Sequence, residues 1–244
     1  ADDQSHQMDH SMPSTKGANL TERAYKQIRG EILACRLAPG QKLVISELAN
    51  SLGFSLGAVR EALAGLTSEG FVVSETNKGY RVAPITQEDL EDLTRTRILI
   101  EAACLNDAIE HGDLSWESGI VSSLFELSRT PLSDPEDPAK MSEQWAARHA
   151  KFHKALVAGC QGPWLLRLRE LLYVQSERYR SVSVPLARRN RDVDAEHKAI
   201  ADAAIARDKL AAETALRRHL ELTTRILIDA DVTGQDKVRA AAPT

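Results

Sequence analysis

The sequence predicts a mainly α-helical protein of two modules: helices with a small β-hairpin at the front, and an all-α bundle of six or seven helices at the back. The chain has 244 residues, of which 43% are hydrophobic, and this suits one large domain or two of ordinary size. Aromatic residues make up only 5% of the chain, a balance that favours helices over a β-sandwich. Apolar positions recur at helical spacing through most of the sequence.

The charge distribution also divides the chain. Between Lys16 and Pro84 there are nine Lys and Arg residues against six Asp and Glu residues, whereas residues 85–244 carry 22 against 26. A basic front and an acidic back indicate two modules with different partners. The overall net charge of −4 gives no sign of nucleic-acid binding by itself.

The cysteine content and the hydropathy predict a cytoplasmic protein without a membrane partner. Cys35, Cys104 and Cys160 are odd in number and widely spaced, which argues against a disulfide framework and fits a reducing cytosol. No apolar run approaches the roughly 18 residues of a membrane span. Residues 1–18 are polar and predict a disordered tail, and residues 233–244 a flexible one.

Residues 19–84 predict three helices and a hairpin. The first helix spans Leu20 to Leu37, with Thr21 as its N-cap, and the second begins at about Ser46. Ser55 is placed to cap the third helix, which buries one apolar stripe and exposes the face between. Two short β-branched or aromatic runs follow, with hairpin chemistry between them: Phe71–Val73, Tyr80–Val82 and the turn Thr76–Gly79.

Three helices and a hairpin in this order form a winged helix-turn-helix, whose third helix enters the major groove of DNA. Arg60 on its outer face can bond guanine or phosphate, and the hairpin tip can reach an adjacent groove. An unrelated three-helix module with the same capping residues is the alternative. The candidate DNA-binding residues are Ser46, Ser55, Leu56, Gly57, Arg60, Asn77, Lys78 and Gly79.

This module resembles the DNA-binding domain of the GntR family. The stretches that match in order and spacing are Leu37-Ala-Pro-Gly-Gln-Lys-Leu43, Glu47-Leu48-Ala49, Leu52-Gly53-Phe54-Ser55, Val59-Arg60-Glu61-Ala62-Leu63, Glu69-Gly70-Phe71 and the wing tip Asn77-Lys78-Gly79-Tyr80. The resemblance implies that Arg60 and the residues after Ser55 contact the operator, with Lys78 and Gly79 contributing from the wing. The family usually has a basic residue where this chain has Leu56. Either the operator differs, or apolar contact with a thymine methyl replaces the missing contact.

Residues 85–232 predict an all-α domain. Thr86 is placed to cap a long first helix, which is apolar almost all round between Ile98 and Ile109, and Ser115 to cap a second. The remaining predicted helices are roughly Ala139–Ala158, Pro163–Val182, Asp194–Ala206 and Asp208–Asp231.

Two charged residues lie on the inward stripe of the first of these helices. Arg97 and Glu101 are spaced i, i+4, so they either satisfy each other or leave Arg97 facing an internal cavity, where it binds an anion. They are the candidate effector-binding residues.

Four histidines lie on inward stripes of three predicted helices. His149 and His153 are spaced i, i+4, and His197 and His219 lie on two later helices. Neutral imidazoles suit Zn²⁺ or Ni²⁺, and an i, i+4 pair is a natural bidentate platform. A single histidine on an apolar face is more often a hydrogen-bonded core residue, and that remains the alternative for each.

Residues 86–231 resemble the FadR-type C-terminal ligand-binding domain. The matching motifs, in order, are Arg97-x-x-x-Glu101, Phe152-His153-x-x-Leu156, Glu196-His197-x-x-Ile200 and His219-Leu220. The resemblance implies that His153, His197 and His219 bind a metal ion together with an Asp four residues before His153. His149 occupies that position here, so either it is the fourth ligand or it turns away and water replaces it. Gln161-Gly162-Pro163 also departs from the family's usual Gly-Asn-Pro.

The two resemblances together imply a metal-dependent transcriptional regulator, most simply a repressor, and not an enzyme. It is expected to bind a palindromic operator in double-stranded DNA as a homodimer and to respond to a small carboxylate effector. Zinc is the expected ion, with nickel as the other choice. The alternatives are a metal-dependent hydrolase, which requires a carboxylate base near the metal-bound water, and a regulator whose metal is purely structural. Glu196 is the carboxylate nearest the histidines in sequence, and it is expected to point elsewhere on its helix.

Overall fold

The computed structural model describes residues 15–75, 78–137, 140–187 and 191–229, with their side chains except at 15–18, 178 and 181–187. The chain divides into two compact units, Ala1–Pro84 and Ile85–Thr244. The described residues are mainly helical with one small sheet, which confirms the predicted fold class.

The first unit is a winged helix-turn-helix. Its elements are α1 (Thr15–Leu33), β1 (Lys42–Leu43), α2 (Ile45–Leu52), α3 (Leu56–Ser68), β2 (Val72–Glu75) and β3 (Gly79–Val82). The antiparallel sheet has the order β1-β3-β2, and β2 and β3 form the predicted hairpin with Val72 opposite Val82. The strand β1 was not predicted, because two residues are too few to show an alternating pattern.

Local chemistry fixes the position of α3. The Ser55 hydroxyl accepts a hydrogen bond from the Ala58 amide at 3.2 Å, which confirms the predicted N-cap. Gly53 ends α2 with a φ of 72°, a left-handed conformation that glycine adopts without strain. The side chains of Val59, Leu63 and Leu66 are fully buried, so the opposite face of α3 is left to solvent.

One capping prediction in this unit is wrong. Thr21 lies inside α1, and its hydroxyl donates to Glu61 Oε2 at 2.8 Å instead of capping the helix. The helix α2 begins at Ile45, one residue before the predicted start at about Ser46, and its N-cap Val44 makes no side-chain cap bond. The helical pattern continued upstream of Thr21, so the hydroxyl alone did not mark the start.

The second unit is a helical bundle. In the described ranges it contains six helices: α4 (Gln87–His111), α5 (Leu114–Ser128), α6 (Glu143–Leu156), α7 (Pro163–Ala187), α8 (Val193–Ile205) and α9 (Lys209–Asp229). Thr86 caps α4 by accepting from the Asp89 amide at 3.1 Å, as predicted. Asp113 caps α5 in place of the predicted Ser115, because its carboxylate accepts from the Trp116 amide at 2.9 Å.

The core of the bundle is apolar except for a group of buried polar side chains. Phe152, Ile120 and Ile200 are fully buried in a single hydrophobic cluster. Across the part of the chain that is described, no helix is both long enough and apolar enough to cross a lipid bilayer. The four histidines are buried in the same bundle.

Candidate functional site

The four histidines meet inside the bundle. His149 and His153 project from successive turns of α6, His197 from α8 and His219 from α9. All four are buried, with exposed fractions of 0–5%. One ring nitrogen from each lies within 4.8 Å of the others, so together they offer four candidate ligand atoms to a single metal ion.

The ring of His149 points into this group. His149 Nε2 lies 3.1 Å from His153 Nε2, and the ring centroids of His149 and His197 are 5.0 Å apart. Trp145 stacks on the outer side of the His149 ring at 4.8 Å. The ring is thus held beside the other three imidazoles.

The hydrogen bonding of the group fits a metal ion. Among the described residues, His153 Nδ1 and both ring nitrogens of His197 have no hydrogen-bond partner although they are buried. An unpartnered buried polar atom is costly, and a divalent transition metal is a partner that imidazole nitrogen prefers. Four imidazoles without a carboxylate suit zinc or nickel better than magnesium or calcium.

Burial sets the protonation of the four rings. Desolvation lowers the pKa of His149, His153 and His197 well below 6.5, and neighbouring positive charges lower it further. Desolvation also lowers the pKa of His219, although its hydrogen bond to Glu196 opposes the shift. The rings are therefore neutral near pH 7, the form that binds metal.

A carboxylate holds His219 in place. His219 Nδ1 lies 2.8 Å from Glu196 Oε2, and Arg191 donates to the two oxygens of Glu196 at 2.8 and 2.7 Å. Burial raises the pKa of Glu196, but the hydrogen bonds from Arg191 and His219 outweigh it and bring the pKa to about 2. An ionised Glu196 fixes the proton on Nδ1 and leaves Nε2 of His219 for a metal.

The expectation that Glu196 points elsewhere is wrong. The expectation considered α8 alone, on which adjacent residues diverge, whereas Glu196 reaches His219 on α9. Arg191, in the link before α8, completes this contact. The local sequence signal for this contact was an arginine followed five residues later by a glutamate that stands next to His197.

Arg97 and Glu101 combine the two predicted arrangements. Arg97 donates to Glu101 Oε1 from Nε at 2.9 Å and from Nη2 at 2.5 Å, so the pair satisfies itself. Arg97 also lines a small cavity of about 30 Å³ together with three of the imidazoles. Other lining residues are Thr94, His149, His153, Ser176, Arg180, His219 and Thr224.

Helix α7 contributes residues that the sequence reasoning missed. The Tyr173 hydroxyl lies 3.3 Å from His149 Nδ1 and accepts from Arg180 Nη1 at 3.1 Å. Burial raises the pKa of Tyr173 to about 12, so the hydroxyl keeps its proton. Arg169, Tyr173, Ser176 and Arg180 are spaced i, i+4, i+7, i+11, and charged residues on a buried stripe were the available signal.

The candidate DNA-binding residues lie on the surface of the first unit. Ser55, Leu56, Gly57 and Arg60 are exposed at the start of α3, and Leu56 has an exposed fraction of 54%. Ser46 is exposed in the first turn of α2, and Lys78 and Gly79 are exposed where β3 begins. Asn77 lies outside the described residues.

Comparisons with known proteins agree with both units. Residues 20–82 match the family model described as bacterial regulatory proteins, gntR family, and residues 92–222 match the FCD domain. The chain is 34% identical to the uncharacterized HTH-type transcriptional regulator BphR of Paraburkholderia xenovorans over 88% of each chain. It is 32% identical to the HTH-type transcriptional repressor GlaR of Escherichia coli over 80% of this chain and 90% of GlaR.

Solved structures show the same fold. Escherichia coli McbR/YncC superimposes with a TM-score of 0.69 over 90% of this chain and 99% of its own, at 22% identity. A GntR regulator from Rhodococcus sp. RHA1 gives a TM-score of 0.65 over 86% and 98%, at 24% identity.

The chain is a DNA-binding transcriptional regulator by class. It belongs to the GntR family and carries an FCD domain as its second unit.

Proposed function

We propose that the chain is a metal-dependent repressor that binds a palindromic operator as a homodimer and responds to a small organic acid. The observation that carries the proposal is the group of four buried imidazoles, with ligand atoms within 4.8 Å of one another, beside a cavity that Arg97 also lines. A repressor is supported by the name of GlaR, at 32% identity.

His149, His153, His197 and His219 would hold the ion, zinc or nickel. Bound there, the ion supplies a Lewis-acid site for a carboxylate oxygen. Because the four imidazoles are neutral, they leave its full charge of +2 to attract an anion. Arg97 and the hydroxyls of the cavity bind the rest of the acid.

The first unit would read the operator through α3. Ser55, Leu56, Gly57 and Arg60 face the base edges, and Ser46 binds phosphate. At the tip of the wing, Asn77, Lys78 and Gly79 would contact the adjacent groove. A single unit of this size buries little DNA surface, so two copies on two half-sites provide tight binding.

Two observations favour sensing over the alternatives. A purely structural metal does not need a cavity lined by the cations Arg97 and Arg180, of which Arg180 is buried. A hydrolase needs a carboxylate that is free to take a proton, whereas Glu196 is engaged by Arg191 and His219.

Native mass spectrometry of the untagged protein, purified without added metal, tests the proposal directly. The expected mass is that of a dimer with one transition-metal ion per chain. Thermal unfolding with a panel of organic acids is the second measurement, and the midpoint should rise for at least one acid only when the metal is bound. A metal-free monomer, or a midpoint that no acid moves, contradicts the proposal.

A further inference from the structure

The cavity in the bundle is lined by two kinds of side chain, neutral imidazoles and charged guanidinium groups. Helices α6 and α9 contribute the imidazoles of His149, His153 and His219, and α4 and α7 contribute the guanidinium groups of Arg97 and Arg180. One group is the proposed metal position and the other a pair of permanent cations. Both kinds line the same small space.

The two groups are separated by one hydroxyl. His149 Nδ1 lies 3.3 Å from the Tyr173 oxygen, and Arg180 Nη1 donates to that oxygen at 3.1 Å. A phenol oxygen accepts two hydrogen bonds and donates one. When His149 binds a metal through Nε2, its Nδ1–H donates to Tyr173, and the two contacts use both acceptor positions. The O–H of Tyr173 is then left to donate to a further acceptor.

The arginines around Tyr173 exceed the carboxylates buried with them. The guanidinium carbons of Arg97, Arg169 and Arg180 lie 5.6, 4.6 and 5.6 Å from the centre of the Tyr173 ring. The carboxylates beside them are Glu101, which is buried and pairs with Arg97, and Glu177, which is half-buried and pairs with Arg180.

Arg169 has the weakest charge pairing of the three. Its side chain is 3% exposed, yet its ion pair is with Glu170, a carboxylate that is 62% exposed, at 3.3 Å. Its Nε and Nη2 have no hydrogen-bond partner in the described structure. Buried positive charge without a matching carboxylate is costly, and a bound anion removes that cost.

We propose that the effector is a small dicarboxylate, with one carboxylate at the imidazole group and the second against Arg180 and the Tyr173 hydroxyl. The inference rests on the acid-sensing function proposed above and names the class of acid. With a divalent ion bound, the three arginines, Glu101 and Glu177 together carry an excess of three positive charges, and the exposed Glu170 beside Arg169 is left out of this sum. A monocarboxylate offsets one of these charges and a dicarboxylate two.

The size of the cavity limits the effector and indicates what must move. A volume of about 30 Å³ holds roughly two water molecules, so the acid must be short and must displace side chains. Arg97 and Arg180 are the long side chains of the lining. Their movement away from Glu101 and Glu177 transmits binding to α4 and α7, on which these four residues lie.

Calorimetry on the zinc-loaded full chain tests the inference. The probes are malonate, succinate, glutarate and adipate, each compared with its half-amide, which has nearly the same shape and one charge fewer. At the best-fitting length, the diacid is expected to bind about tenfold or more tightly than its half-amide. Arg180→Gln should bring the two affinities together while zinc content stays at one ion per chain. Arg217→Gln, an exposed change on α9, should leave the preference unchanged.

The outcomes separate the two proposals. Equal binding of diacid and half-amide to the native chain overturns the dicarboxylate inference and leaves acid sensing in place. Failure of every probe to bind the zinc-loaded chain overturns both. If Arg180→Gln does not fold, Arg180→Lys keeps the charge but loses the planar fork, and a weakened preference is expected. A preference that Arg180→Lys leaves at the native value overturns the role of Arg180.

Discussion

The two units place their charged residues in opposite environments. In the first unit Arg60 and Lys78 lie on the surface, above a core of apolar side chains such as Val59 and Leu63. In the second unit Glu101, Arg169, Arg180 and the four histidines are buried. A long DNA polyanion is met from outside, whereas a small acid can be enclosed. Surface charge therefore serves DNA binding at little cost to folding. Buried charge, in contrast, links the proposed binding of a small acid to the stability of the second unit.

Removing one of the four buried histidines should give the largest effect, because these side chains form the interior of the second unit. His197 is fully buried, and neither of its ring nitrogens has a hydrogen-bond partner among the residues that the structure describes. His197→Ala is expected to weaken metal binding by about 100-fold or more, as measured by competition with a chelating dye. The matched control is His111→Ala, which removes a histidine of α4 outside the group. Full metal affinity in His197→Ala would sink the ligand assignment.

Acid should destabilise the metal-free second unit. Because burial lowers the pKa of the four imidazoles below 6.5, the unfolded chain binds more protons than the folded chain once the pH falls below that value. The free energy of unfolding therefore falls as the pH drops, by up to about 1.4 kcal/mol per pH unit for each such ring.

Thermal unfolding in a chelator between pH 8 and pH 5 measures this dependence. The midpoint is expected to be level above pH 7 and to fall below pH 6.5. His197→Ala has one such ring fewer, so its midpoint should fall less steeply. Identical slopes for the two proteins would show that His197 is not buried in its neutral form.

In the first unit, Arg60→Ala should weaken DNA binding without changing metal binding or stability. Loss of a guanine or phosphate contact is expected to cost about 1–3 kcal/mol of operator binding, or roughly 10- to 100-fold in affinity. The operator is first selected from random DNA with the native chain, and affinity is read by fluorescence anisotropy. Metal content and the unfolding midpoint should not change. Arg36→Ala, in the segment after α1, is the control, and equal affinities of the two variants would contradict the role of α3.

Glu196→Gln tests whether Glu196 positions His219 for metal binding in the second unit. The amide keeps the shape but loses the charge that holds Arg191 and the proton on His219 Nδ1. Changes of this kind typically weaken metal binding by about 10- to 100-fold. Glu213→Gln, on the exposed face of α9, is the matched control. Metal affinity equal to that of the control would mean that Glu196 does not position His219.

The two units also differ in how much of them could be predicted from the sequence. The exposed residues of α3 follow from a local pattern, because Ser55 caps the helix and the buried stripe of Val59 and Leu63 defines the outer face. The four histidines were found in the same way, from their inward stripes on separate helices. The contacts of Tyr173 with His149 and of Glu196 with His219 each join two different helices. No periodicity within one segment carries that information.

A substitution at Leu56 should have the smallest effect, and it tests which part of the DNA this position of α3 faces. The GntR family usually has a basic residue at this position, and the Leu56 side chain is 54% exposed, so Leu56→Arg does not disturb the core. If position 56 faces a phosphate, the arginine adds one ionic contact. Affinity for operator and unrelated DNA should then rise together, and the slope of log K against log salt should steepen by about one.

A contact with a base edge gives a different result. The arginine would then replace an apolar contact with a thymine methyl by hydrogen bonds to guanine, so the preference at one base pair should change while the salt slope stays the same. Leu56→Met is the control, because it keeps the apolar contact and adds no charge. If Leu56→Arg binds like this control in both respects, position 56 does not face DNA, and the reading surface begins closer to Arg60.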